Sequence, residues 1–187
     1  MIYIDKKIIT SDELKLLRWI EGNSFKKRLS YQIKKWQFFK IRKGLYVIWN
    51  ISDLKEKDFL TIANSIYKPS YISFETVLRE EWLIYQHYDS IFVASNYKKE
   101  LQILNQNIQF KKLPQDLLVN MEWINNEKGY YIASPERAVL DTLFLNNNYY
   151  FDSFEWLNKY KLKDLAKIYK SHKKNIDDIV LKITKNL

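Results

Sequence analysis

The sequence has no cysteine, three glycines and three prolines. Without a thiol there is no disulfide framework, no thiolate metal site and no cysteine nucleophile. Gly22, Gly44 and Gly129 stand far apart, so no glycine-rich loop cradles a phosphate. Histidine is nearly as scarce. His87 and His172 have no second ligand at a metal spacing, so surface or structural roles are expected for both. No serine lies in a nucleophile elbow. Glu80-Glu81 and Asp177-Asp178 are carboxylate pairs, but adjacent residues on a helix do not face each other and make poor acid–base pairs. The expectation is a protein without catalysis, cofactor or metal. No apolar run approaches the ~20 residues of a membrane span. The first ten residues, MIYIDKKIIT, lack the apolar core of a signal peptide. Together with the missing cysteine, this sets the expectation of a cytoplasmic protein away from membranes.

One absence is local. Between Gly22 and Ser52 there is no Asp or Glu, while Lys26, Lys27, Arg28, Lys34, Lys35, Lys40, Arg42 and Lys43 all lie there. That window therefore carries +8, against 31 − 22 = +9 for all 187 residues. Charge concentrated in one short segment is a local field for a polyanion. Phe25, Leu29, Ile33, Trp36, Phe39, Ile41, Tyr46 and Ile48 interleave the cations, so the segment can fold against a core. A solvated cationic face on an ordinary helix–strand unit is the bland alternative.

The period of the apolar residues chooses between them. Leu29, Ile33 and Trp36 recur at helical spacing, with Ser30, Gln32, Lys34 and Lys35 projecting from the other face. Phe39 and Ile41, then Leu45, Val47 and Trp49, alternate around Arg42-Lys43-Gly44, a hairpin whose glycine supplies the positive φ of a tight turn. Helix followed by basic hairpin is the end of a winged helix-turn-helix, in which the helix enters the major groove and the hairpin presses on phosphates. The expected double-stranded DNA-binding set is Lys26, Lys27, Arg28, Ser30, Gln32, Lys34, Lys35, Lys40, Arg42 and Lys43. Only Ser11 to Trp36 is available for the preceding helices, so the second of three must be very short or missing.

The expected fold class is α+β: a winged helix-turn-helix over 1–52, then a mixed α/β domain with C-terminal helices over 53–187. Ser11 is the expected cap of a helix carrying Leu14, Leu17, Trp19 and Ile20 to Gly22. Asp58 to Tyr67 reads as a helix ended by Pro69, and Ser70 or Ser73 as the cap of another. Trp82 to Tyr85 reads as extended and Ile91 to Ala94 as a buried strand. Leu101, Ile103, Ile108 and Phe110 mark two short strands. Val119, Met121 and Trp123 read as one arm of a hairpin, Asn125 to Gly129 as its turn and Tyr130 to Ala133 as its return. Ser134-Pro135-Glu136 is a strong helix start. Asp152 is read as the cap of a helix with Phe154 and Leu157. Leu162, Leu165 and Ile168 mark the next helix, and Ile176, Ile179, Val180, Ile183 and Leu187 the last. Arg137 and Asp141, at i and i+4, read as a structural ion pair more readily than as a polar functional site.

Three motifs in order resemble the AbiEi family: RKGLYV at Arg42 to Val47, PSYISFETVL at Pro69 to Leu78, and IASPERAVLDTL at Ile132 to Leu143. These proteins are antitoxins and transcriptional regulators of type IV toxin–antitoxin (abortive infection) systems. The resemblance runs from about Ser24 to the C-terminal helices. It implies a winged helix-turn-helix in front, an α/β domain behind and repression of the protein's own operon through inverted repeats. It also implies antagonism of a nucleotidyltransferase-type toxin. By position, the family's DNA-contacting surface falls on Lys26, Lys27, Arg28, Lys34, Lys35, Arg42 and Lys43. Two departures stand out. The first helices are compressed, and Trp82 occupies the place where many relatives have Gly, so that turn is expected to differ. The alternatives are a stand-alone winged-helix regulator, or a nucleic-acid-processing enzyme whose basic region holds substrate. Oligomeric state, operator sequence and toxin-neutralising surface are not written in the motifs.

Overall fold

The computed structural model describes residues 6–16, 23–35, 38–48, 50–127 and 129–184. The expectations for residues 1–5 and for Leu17, Trp19, Ile20, Gly22, Trp36, Trp49 and Leu187 lie outside them. The chain is α+β, with eight α-helices and two sheets among the described residues. Packing divides it into two compact units, 1–66 and 67–187. None of the described helices is long and apolar enough to cross a membrane.

The first unit holds β1 (Ile8–Thr10), α1 (Ser11–Leu16), α2 (Asn23–Lys34), β2 (Phe39–Arg42), β3 (Leu45–Val47) and α3 (Glu56–Ile66). The strands form an antiparallel sheet in the order β1-β3-β2, and all three residues of the central strand β3 are buried. Gly44 turns β2 into β3 at φ +89°, as the hairpin pattern predicts. Its carbonyl accepts the amide of Ser11 at 2.9 Å, tying the turn to the start of α1. The cap of α1 is Thr10 rather than Ser11. Thr10 Oγ1 accepts from Glu13 N (3.2 Å), and Glu13 Oε2 accepts from Thr10 N (2.8 Å), a reciprocal capping box. Ile9, Leu14, Phe25, Leu29, Phe38 and Tyr46 make the core of this unit, with Ile33 and Ile48 packed on it. Lys7 donates to Asp58 Oδ2 (2.8 Å) and to the Asp53 carbonyl (3.0 Å), fixing β1 to the start of α3.

The second unit is a mixed six-stranded sheet with helices. Its elements are β4 (Ser70–Ile72), α4 (Glu75–Glu80), β5 (Ser90–Ser95), β6 (Lys99–Ile103), β7 (Gln106–Lys112), α5 (Gln115–Val119), β8 (Ile124–Glu127), β9 (Tyr130–Ala133), α6 (Pro135–Leu145), α7 (Lys159–Tyr169) and α8 (Ile176–Thr184). The strand order is β6-β7-β5-β4-β9-β8, parallel at β7/β5 and β4/β9 and antiparallel elsewhere. α6 is buried from Glu136 to Leu143, so it is the helix around which the unit closes. Ser134 caps it by accepting the Arg137 amide, with Pro135 at its first turn.

Several elements differ from the sequence expectation. Ser70 to Ile72 is a strand, because its three buried residues pair with β5 and Ile72 also pairs with β9. Neither Ser70 nor Ser73 caps the following helix. Its N-cap is Phe74 at φ 56°, and the Ser73 hydroxyl is used elsewhere. Val119 closes the short helix α5 and Met121 precedes the hairpin. The first arm is Ile124–Glu127, paired with Tyr130–Ala133 around Gly129 at φ +108°. Alternation of Val119, Met121 and Trp123 is thus not a strand signal; all three side chains are exposed. Asp152 caps no helix. Its carboxylate accepts the Tyr85 amide at 2.8 Å, joining two loops. In the first of these, Leu83 and Ile84 are buried while Trp82 and Tyr85 are exposed. Trp82 has φ 59°, a left-handed conformation that costs a non-glycine residue about 1–2 kcal/mol.

Candidate nucleic-acid interface

Helix α2 has no acidic residue in its first turn and carries its charge on one side. Phe25 and Leu29 are buried and Ile33 is half-buried, which fixes the helix by its apolar stripe. Lys26, Lys27, Arg28, Ser30, Tyr31 and Lys34 are exposed. Lys26, Lys27, Ser30, Tyr31 and Lys34 line one shallow depression of about 430 Å³. This brings the two ends of the charged stripe, about two helical turns apart, to one surface. Lys35 follows the helix, exposed, with its ammonium 5.6 Å from the Tyr31 ring centre.

Gln32 behaves differently from its neighbours. It is half-buried, and its Oε1 is buried without a hydrogen-bond partner among the described residues. At helical spacing it falls beside Leu29 and Ile33 rather than opposite them, so it does not project away with Ser30 and Lys34.

The hairpin supplies the remaining cations. Lys40 and Arg42 alternate with the half-buried Phe39 and Ile41, so both basic side chains leave by the exposed face of β2. The register shifts between Lys40 and Arg42, an irregularity just before the turn. Arg42 donates from Nη1 to the Ile66 carbonyl at 2.8 Å, holding the last turn of α3. Its guanidinium thus has a structural partner, whereas Lys43 is an exposed cation at the tip. That role of Arg42 has no local sequence signal, since its partner lies 24 residues away.

The second unit contains a buried polar centre of its own. Arg137 and Asp141 are both fully buried, with Nε and Oδ1 3.7 Å apart. Asp141 accepts hydroxyl protons from Tyr169 (2.6 Å), Ser73 (2.7 Å) and Tyr71 (3.2 Å). Arg137 Nη2 donates to the Leu117 carbonyl (2.7 Å) and to Tyr71 Oη (3.2 Å). Its guanidinium also lies 5.5 Å and 5.3 Å from the Tyr71 and Tyr169 ring centres. Burial pushes the Asp141 carboxyl above its ordinary value, and the Arg137 charge and the three hydroxyls oppose that rise without cancelling it. Burial pulls Arg137 down, but Asp141, Tyr169 and Tyr71 together outweigh it and the guanidinium stays charged. Strand β4, helix α6 and helix α7 thus meet on one carboxylate. The pair reads as a structural lock, as its spacing predicts. Tyr71, Ser73 and Tyr169 could not have been assigned to it, because 28 to 70 residues separate them from Asp141.

Neither histidine stands in a metal-like group, and among the described residues no three His, Cys, Asp or Glu side chains could hold a metal ion together. His172 Nε2 lies 2.6 Å from Asp116 Oδ2, and this hydrogen bond holds the Asp116 carboxyl below its ordinary value. His87 lies 3.1 Å from the exposed Asp89. No family model and no curated protein matches the chain.

Proposed function

We propose that the protein is a DNA-binding regulator of the winged-helix type, offering α2 to the major groove and the β2–β3 hairpin to phosphates. One observation carries this reading: α2 buries Phe25 and Leu29 while Lys26, Lys27, Ser30, Tyr31 and Lys34 share one exposed, acid-free surface. A helix held by an apolar stripe, with cations and small polar groups opposite, is what a major-groove reader requires. Two further features support it. Helices α1 and α2 lie between β1 and the β2–β3 hairpin of a sheet of order β1-β3-β2, and that hairpin's turn is basic at Arg42 and Lys43. Lys43 is exposed at the tip, where phosphate contact is sterically open.

On the resemblance of RKGLYV, PSYISFETVL and IASPERAVLDTL, the DNA would be the protein's own upstream region, with inverted repeats. The second unit would then carry antagonism of a nucleotidyltransferase-type toxin, making the protein an antitoxin and autorepressor. Its near-neutral charge and exposed Trp82, Tyr85, Tyr150 and Trp156 suit a protein partner better than a duplex.

The test is titration of the full chain with duplex DNA from its upstream region over a range of salt. Neutralising roughly 4–6 phosphates gives a slope of log K against log salt of about −4 to −5. Salt-independent affinity, or an unchanged slope after Lys26→Ala/Lys27→Ala/Lys34→Ala, would count against DNA recognition by α2. Co-expression with the product of a neighbouring nucleotidyltransferase-like reading frame tests the antitoxin role. Growth that the protein does not restore leaves the stand-alone regulator as the better description.

A further inference from the structure

We propose that the second unit binds a small ligand carrying two or more phosphate groups, in a groove beside the outer strand β6. The groove has a volume of about 510 Å³. It is lined by Lys98 with Lys99 and Glu100 of β6, by Gln109 to Lys112 of β7, and by Leu145 at the end of α6. Four of these eight residues are lysines and one is acidic.

The lysines are not equivalent. Lys111 has its ammonium 2.6 Å from both carboxylate oxygens of Glu75 and 4.6 Å from the Phe92 ring centre, so its charge is already matched. Lys98, Lys99 and Lys112 are exposed and form no ion pair among the described residues. Three lysines without an ion pair among the described residues, against the single carboxylate of Glu100, give the concavity a net positive charge that favours an anion. Lysine ammoniums act on phosphate as point charges, without the planar fork that selects carboxylates.

The size and floor of the groove separate a small ligand from a duplex. Its volume lies in the usual range for small-molecule sites. Leu145 is 46% exposed there and supplies an apolar wall. A phosphodiester backbone laid across a surface has no use for such a wall, whereas a compact ligand with an organic part does. The groove shares no lining residue with the depression on α2 and does not depend on DNA recognition there.

The experiment is calorimetric titration of the full chain at fixed ionic strength, with inorganic tripolyphosphate and, separately, a nucleoside triphosphate. Saturable one-to-one binding is expected. It should weaken at least tenfold in Lys98→Gln/Lys99→Gln/Lys112→Gln and stay unchanged in Lys26→Gln/Lys27→Gln/Lys34→Gln. All these lysines are exposed, and an unchanged amide spectrum checks each fold. Tighter binding of the nucleoside triphosphate places its organic part on Leu145, and equal binding makes the phosphate chain alone the ligand; either supports the site. Absence of saturable binding at millimolar concentration overturns it. So does binding that the first variant leaves intact, or that both variants weaken alike. Duplex DNA whose affinity falls with the first variant, while tripolyphosphate does not bind, would assign the groove to nucleic acid instead.

Discussion

Removing either member of the Arg137–Asp141 pair should destabilise the second unit severely, and with a pH signature that differs between the two. In Asp141→Asn, a fully buried guanidinium loses its counter-charge and cannot shed its proton. Breaking a buried pair from one side costs about 3–5 kcal/mol. That is a large part of the ~5–15 kcal/mol that holds a domain folded. In Arg137→Met, the stranded group is a carboxylate, and it can take up a proton. Its acidity is already depressed by burial, and losing the opposing Arg137 charge raises its pKa further. A carboxyl whose folded pKa lies above its unfolded value contributes stability below the unfolded value, 3.8 for Asp, and loses it as pH rises through the folded value. The cost of Arg137→Met should therefore be about 3–5 kcal/mol at pH 7 and shrink toward pH 4, by about 1.4 kcal/mol for each unit of further rise. The cost of Asp141→Asn should instead grow toward pH 4, because the raised carboxyl contributes stability there that an amide lacks. Hydrogen exchange of the β4, β5 and α6 amides reads the stability of this unit without interference from the first. Costs under ~1 kcal/mol for both variants, or a cost of Arg137→Met that is equal at pH 4 and pH 7, would refute the picture of a dry, mutually dependent pair.

Lys34→Ala/Lys35→Ala removes two exposed cations and no core residue, so the fold should persist while a repression reporter loses operator binding. If toxin antagonism belongs to the second unit, the same variant still rescues growth against the cognate toxin, and loss of rescue at normal protein levels would contradict that division. Lys43→Ala should flatten the salt slope of duplex binding by about 1 with no change in stability. Arg42→Ala should also loosen the end of α3, by about 0.3–1 kcal/mol, and equal stability of the two variants would show that the bond to Ile66 contributes nothing. Thr10→Ala should cost the first unit about 1 kcal/mol through its capping box. Burial raises the Glu13 carboxyl, but bonds from Lys6 and Thr10 outweigh this and leave its pKa below the ordinary 4.5. The stabilisation is therefore present above pH 4.5 and lost as pH falls through the lowered value, a limb that Glu13→Gln should flatten in acid melts of β1 and α1 amides.

Local chemistry written in consecutive residues was legible in the sequence. The α2 pair of Leu29 and Ile33, the turn at Gly44, the buried β5 and the start of α6 at Ser134-Pro135 each depend on neighbours a few residues away. So does the confinement of excess charge to the stretch before Ser52. Elements whose state depends on distant partners were not legible. Ser70 to Ile72 is only three residues long and becomes a strand because β5 and β9 flank it. Val119, Met121 and Trp123 alternate like a strand but none of them is in one, since Val119 ends α5 and the ladder with β9 begins only at Ile124. The same holds for side-chain roles. Spacing alone suggested Arg137–Asp141, because i and i+4 meet on any helix. Only the tertiary fold could bring Tyr71, Ser73 and Tyr169 onto that carboxylate, and aim Arg42 at the end of α3. A hydrogen bond needs its partner within about 3 Å, and for residues far apart in the chain the packing of the elements sets that distance.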